Sequence, residues 1–154
     1  MKGLVSLCAL LVSMVCASHA WSQERVAGLE VSASVGVRCK VESRGDIAFG
    51  ALDPAQAINT FATTEARVAC TRGAVYRLVI DRGRNYNTDR STRQMISERG
   101  ASLPYKLSVE SGGGIGEGWF QPSITRLAAS VQGSDYVDLP GGHYQDVIRI
   151  SVEY

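Results

Sequence analysis

From Leu29 to Cys39 every odd position is small or apolar (Leu29, Val31, Ala33, Val35, Val37, Cys39), and the even positions are mainly polar or glycine. A side-chain period of two belongs to an extended strand with one buried face, and it cannot be wrapped into a helical stripe. The same alternation returns at Tyr76-Leu78-Ile80, at Tyr105-Leu107-Val109 and at Ile148-Ile150-Val152-Tyr154. Turn formers lie between these runs: Asp53-Pro54, Arg72-Gly73, Arg82-Gly83, the stretch from Ser111 to Gly118, and Pro140-Gly141-Gly142. Residues 62–69 could pass for a helix, but Thr63, Thr64, Val68 and the adjoining Cys70 suit a strand better. No internal repeat and no linker interrupts the pattern. Short strands with turns between them predict one all-β domain, a sandwich or barrel.

The N-terminus sets the compartment. Lys2 precedes an apolar run from Leu4 to Val15, and Ser18-His19-Ala20 places small residues where a signal peptidase reads. Residues 1–20 are thus expected to be a secretory signal peptide cut after Ala20. The run is shorter than the roughly 20 apolar residues a membrane span requires. A lipoprotein reading, with Cys16 lipidated, is disfavoured by the bulky Val15 just before it. Cys8 and Cys16 leave with the signal, so Cys39 and Cys70 face an oxidising compartment as a pair and are expected to form one disulfide. Closing a loop of about 32 residues stabilises a fold by roughly 3.5–4 kcal/mol on the chain-entropy account.

Several function classes drop out. Of 154 residues, 134 remain after the signal, and the loss of Lys2 leaves 15 basic against 15 acidic side chains. A net charge near zero leaves no footprint for nucleic acid or an anionic membrane. Arg82, Arg84, Arg90, Arg93 and Arg99 crowd one polar stretch that reads as a solvated loop rather than an anion patch. Two cysteines and one mature-chain histidine, His143, do not make a four-ligand zinc site. The chain has no Gly-x-Ser-x-Gly elbow, and the glycine run at 112–118 lacks dinucleotide spacing and a P-loop lysine, so it reads as a flexible hairpin loop. The expectation is a non-enzymatic protein with no metal and no small-molecule cofactor.

Two features ask for more than a plain sandwich. The alternating run at 29–39 is long and follows a polar start, and the last strand pattern ends at Tyr154. A sandwich without its final edge strand would expose apolar core and unpaired backbone. The motifs along the chain resemble those of the spore coat protein U domain family, which includes subunits of archaic chaperone–usher pili. The resemblance is carried by Cys39, Ile47-Ala48-Phe49-Gly50 with Asp53-Pro54, and Val68-Ala69-Cys70-Thr71 with Gly73. It continues through Ile80-Asp81-Arg82-Gly83, Arg93-Gln94-Met95 and Leu103-Pro104-Tyr105-Lys106-Leu107, and ends on Gly142-His143-Tyr144-Gln145-Asp146 before Tyr154. It is weakest in the middle, where Gly118-Trp119-Phe120 replaces a Trp-Gly turn and no Tyr-Gly element stands out around Ser130 to Val137.

The resemblance implies an immunoglobulin-like β-sandwich lacking its last strand and completed by donor-strand complementation, in which a foreign strand adds to a sheet edge. On that reading, residues 21–34 are an N-terminal donor-strand extension offering Leu29, Val31, Ala33 and Val35, and residues 35–154 are the sandwich domain. Expected partners are a periplasmic chaperone, an outer-membrane usher and neighbouring pilin subunits, in a fibre exported through the periplasm to the cell surface. Phe49, Tyr105 and Tyr144 read as core or strand-edge packing, Gly50 and Gly142 as backbone geometry, and Asp146 as a turn acceptor. Arg93, Met95 and Tyr154 complete the motif set. The alternatives are a coat or matrix protein that does not form pili, and a carbohydrate- or surface-binding module using Trp119 and Phe120.

Overall fold

The computed structural model describes residues 25–154. The expected signal peptide and residues 21–24 of the expected extension lie outside the described residues. Contacts divide the chain between Ala33 and Ser34.

In the unit from Ser34 onward, the described residues form nine strands: β1 (Cys39–Ser43), β2 (Thr60–Cys70), β3 (Val75–Ile80), β4 (Arg93–Ser97), β5 (Ser102–Val109), β6 (Gly113–Ile115), β7 (Ser123–Val131), β8 (Tyr144–Gln145) and β9 (Ile150–Glu153). One short 3-10 turn, Gly133–Asp135, is the sole helical element among them. Every strand pairing is antiparallel. One sheet runs β1-β2-β7-β5-β4-β8 and the other β6-β3-β9. The fold is an all-β sandwich, one of the two architectures the strand pattern allows.

The core sits in two clusters. In the first, Val68 and Cys70 of β2 face Tyr76 and Leu78 of β3, with Val41, Ile150 and Val152 closing the sides. In the second, Leu103 and Tyr105 of β5 pack with Ala129 and Val131 of β7 and with Tyr136. Full burial of a valine or leucine side chain is worth about 1.5–3 kcal/mol, and a one-residue slip would turn a whole strand's set outward. The expected strands at 62–69, 76–80 and 105–109 pair in register, and of the one expected over 148–154 the stretch Ile150–Glu153 does.

Three departures have physical causes. Residues 29–38 join no ladder. The ladder begins at Cys39; just before it the Arg38 N–H donates to Thr71 Oγ1 (3.0 Å) and the Arg38 carbonyl accepts from the Thr71 N–H (2.8 Å). Alternation specifies one apolar face, but not the strand beside it. The glycine run is not simply a flexible loop, because Gly113–Ile115 pairs with Val75, Tyr76 and Arg77. A Cβ on Gly113 would stand 2.5 Å from the Tyr76 carbonyl oxygen, so glycine is what lets that edge approach. Finally, Ser123–Val131 is a central strand that the reading by pattern passed over, although Thr125, Leu127, Ala129 and Val131 alternate and are buried.

Candidate functional site

The family-type motifs, scattered along the sequence, converge on one polar node where the end of β3 meets the segment between β8 and β9. Asp81 exchanges bonds with Arg149: its N–H donates to the Arg149 carbonyl (3.0 Å), and its Oδ1 accepts from the Arg149 N–H (3.0 Å). The same Oδ1 accepts from the Gly83 N–H (2.9 Å), and Arg93 Nη2 donates to the Asp81 carbonyl (2.7 Å). One step along, Asp146 accepts from the Asn85 N–H at Oδ1 (3.0 Å) and from the Tyr105 hydroxyl at Oδ2 (2.7 Å). Gly83 has φ +89°, and a Cβ there would lie 2.3 Å from Asp146 Oδ2. The glycine of the Asp-x-Gly motif therefore both makes the turn and leaves room for the carboxylate.

Burial, followed by the bond to Asp146, raises the Tyr105 phenol well above its ordinary value of 10.0. Below pH about 10 folded and unfolded chains both keep that proton; above it the unfolded chain ionises first, so stability falls as pH rises. Unfolding of Tyr105→Phe measured from about pH 8 to 11 should show a shallower decline than the unsubstituted chain. An equal slope in both would remove Tyr105 as the source.

The remaining expected residues separate into two groups. Phe49, Met95 and Tyr144 pack partly buried against the second core cluster. The Tyr144 hydroxyl donates to the Pro140 carbonyl (2.7 Å). Arg93 lies directly across the ladder from Tyr105, and its Nε is buried without a partner. Gly50 has φ +74°, in keeping with a backbone role. Gly142 is not at positive φ, and a Cβ there would meet only Ser97 Cβ at 3.9 Å; nothing in the structure explains it. Tyr154 is exposed. Cys39 and Cys70 form the disulfide directly across the β1–β2 ladder.

Asn85, Arg149 and Tyr136 were not singled out from the sequence. The first two contribute backbone groups to the node, which no side-chain pattern reports. Tyr136 is buried, and its hydroxyl donates to the Ile58 carbonyl (2.7 Å). Among the described residues no group of three or more His, Cys, Asp or Glu could hold a metal.

The other notable feature is an unfinished margin. β9 pairs with β3 along one edge and has no strand on its other edge among the described residues. The first core cluster lies between two sheets, whereas the second is roofed partly by non-strand residues: Ile47, Phe49, Leu52, Leu139 and Ile148. All five are only partly buried. In the separate unit ending at Ala33, Leu29 and Val31 are 89% and 87% exposed, and Ala33 is exposed too. Val35, just beyond it, is 87% exposed.

A family model, the Spore Coat Protein U domain, matches residues 26–151. Among solved structures the chain is similar to one in the crystal structure of the CsuC-CsuE chaperone-tip adhesion subunit pre-assembly complex from archaic chaperone-usher Csu pili of Acinetobacter baumannii. The identity is 18% and the TM-score 0.54, over 79% of this chain and 40% of that one. The likeness is one of fold, and this chain spans well under half of that protein's length. Comparison with curated proteins gave no significant match.

Proposed function

The chain belongs to the Spore Coat Protein U domain family, and from that premise we propose that it is a structural subunit of a chaperone–usher surface fibre. The observation that carries this reading is the margin beside β9: a strand edge without a partner among the described residues, in a sandwich whose second core cluster is roofed partly by half-buried apolar residues outside any strand. An added strand would pair its backbone with β9 and turn alternate side chains toward the core, where Ile150 and Val152 of β9 pack on the first cluster. A periplasmic chaperone would supply the strand first, and the next subunit would replace it at the outer-membrane usher. The donor segment is residues 21–34, with Leu29, Val31 and Ala33 as its inserting side chains and Val35, just past its end, continuing the same face; the acceptor is the sandwich domain of residues 35–154. The role is structural rather than catalytic, in a protein carried through the periplasm to the cell surface to support adhesion and biofilm formation.

A chain lacking residues 21–33 should still bind the chaperone as an acceptor yet form no fibres, as read by size-exclusion chromatography and electron microscopy. Long polymers from the truncated chain would overturn the donor assignment. A stable, monomeric full chain made without any chaperone would overturn the unfinished sandwich and favour a non-polymerising coat protein.

A further inference from the structure

The outward face of the larger sheet carries a groove that neither the core nor the open margin uses. It is lined by Lys40 and Glu42 of β1, Arg67 of β2, and Trp119, Phe120 and Pro122 of the segment leading into β7. Its volume is about 280 Å³, at the small end of ligand pockets, which suits one or two rings rather than a long chain. Ladder register sets the polar wall: Glu42 lies directly across from Arg67, and Lys40 across from Ala69. Lys40 and Glu42 pair with each other, and the Lys40 hydrogen bond and charge hold the Glu42 carboxyl below its ordinary value. Arg67 forms no salt bridge among the described residues, although it is the cation closest in register to that pair. The opposite wall is aromatic. Trp119 is 47% exposed, so it is half held by the protein, while Phe120 is 93% exposed.

A guanidinium that makes no salt bridge among the described residues offers a planar pair of N–H donors that matches a carboxylate. The Glu42 carboxylate beside it accepts from hydroxyl groups. A half-held indole offers a flat apolar face with little conformational entropy to lose. A ligand that uses all three has a carboxylate, several hydroxyls and an apolar ring face. We propose that this groove is a binding site for an acidic saccharide of the uronic-acid class, with its carboxylate on Arg67, its hydroxyls toward Glu42 and its ring stacked on Trp119. The groove's net charge, two cations against one anion, has the sign such a ligand requires. The site lies on an outward sheet face and does not depend on whether the chain polymerises.

Digalacturonate and its dimethyl ester, titrated by calorimetry into the full chain in its purified assembly, test the proposal. Saturable binding of digalacturonate is expected, weakened by salt, with the neutral ester at least about tenfold weaker. Arg67→Gln and Trp119→Ala should each weaken binding by about tenfold or more, while Arg90→Gln, in an exposed loop, should not. All three side chains point outward, so matching circular dichroism and melting of the variants confirm that folding is unaffected. No saturable binding would overturn the proposal, as would equal affinity for the ester or an effect of Arg90→Gln as large as that of Arg67→Gln. Concentration-dependent self-association abolished by Trp119→Ala, without saccharide binding, would assign the face to a second copy instead. None of these outcomes bears on the 21–33 truncation, so the two readings fail separately.

Discussion

Replacing Cys39 and Cys70 together by alanine should lower the unfolding free energy by about 3–5 kcal/mol. Two contributions add. The bond closes a loop of 31 residues' separation, which restricts the unfolded chain. Cys70 is also 1% exposed within the first core cluster, so alanine leaves a small void there. The effect should fall where β1 meets β2, because the bridge ties the edge strand β1 to the end of β2, the longest strand. The measurement is urea unfolding of the oxidised, reduced and double-alanine chains in the same assembly state. Reduction alone should give most of the loss. A change below about 1 kcal/mol would mean that the β1–β2 ladder holds without its staple.

The second large effect is expected at Asp146. Asp146→Ala strands two donors, the Tyr105 hydroxyl and the Asn85 N–H, and Tyr105 is buried. Hydrogen bonds to a charged acceptor contribute about 1.5–3 kcal/mol each, and a buried donor left without a partner adds its desolvation cost. A loss of about 3 kcal/mol is therefore expected for Asp146→Ala. Asp146→Asn keeps an acceptor for the Asn85 N–H and should cost markedly less. The double variant Asp146→Ala/Tyr105→Phe should recover part of the alanine loss, since it removes one stranded donor; simple additivity of the two losses would show that the residues do not act as a pair. The consequence for assembly follows from position. Asp146 and Arg149 anchor the chain just before β9, the strand whose free edge is the proposed acceptor. Loss of the anchor should lower chaperone binding along with stability.

Much of the fold was legible in the residues. Period-two runs at 76–80 and 105–109 became buried strands because alternation states directly which face must leave water. The disulfide followed from an oxidising compartment and two remaining cysteines, and the structure adds that they are direct ladder partners. β6 and β7 were missed for opposite reasons. Glycines give no hydrophobic signal even where a strand needs them, and the Leu127-Ala128-Ala129 run of β7 blurs the alternation with small residues on both faces.

By itself, the sequence determined the all-β class, the cysteine pair, the apolar faces and the order of the motifs, since each depends on residue type at short separation. Only the tertiary structure decided that Asp81, Gly83, Arg93, Tyr105 and Asp146 share one node, and that β9 keeps an open edge among the described residues. Hydrogen bonds between residues some 41 positions apart, and to backbone groups that every residue carries, leave no local trace in a sequence. The run from Leu29 to Val37 marks the division. Its alternation states that one face is to be buried, and the fold of residues 34–154 includes no ladder that takes it up.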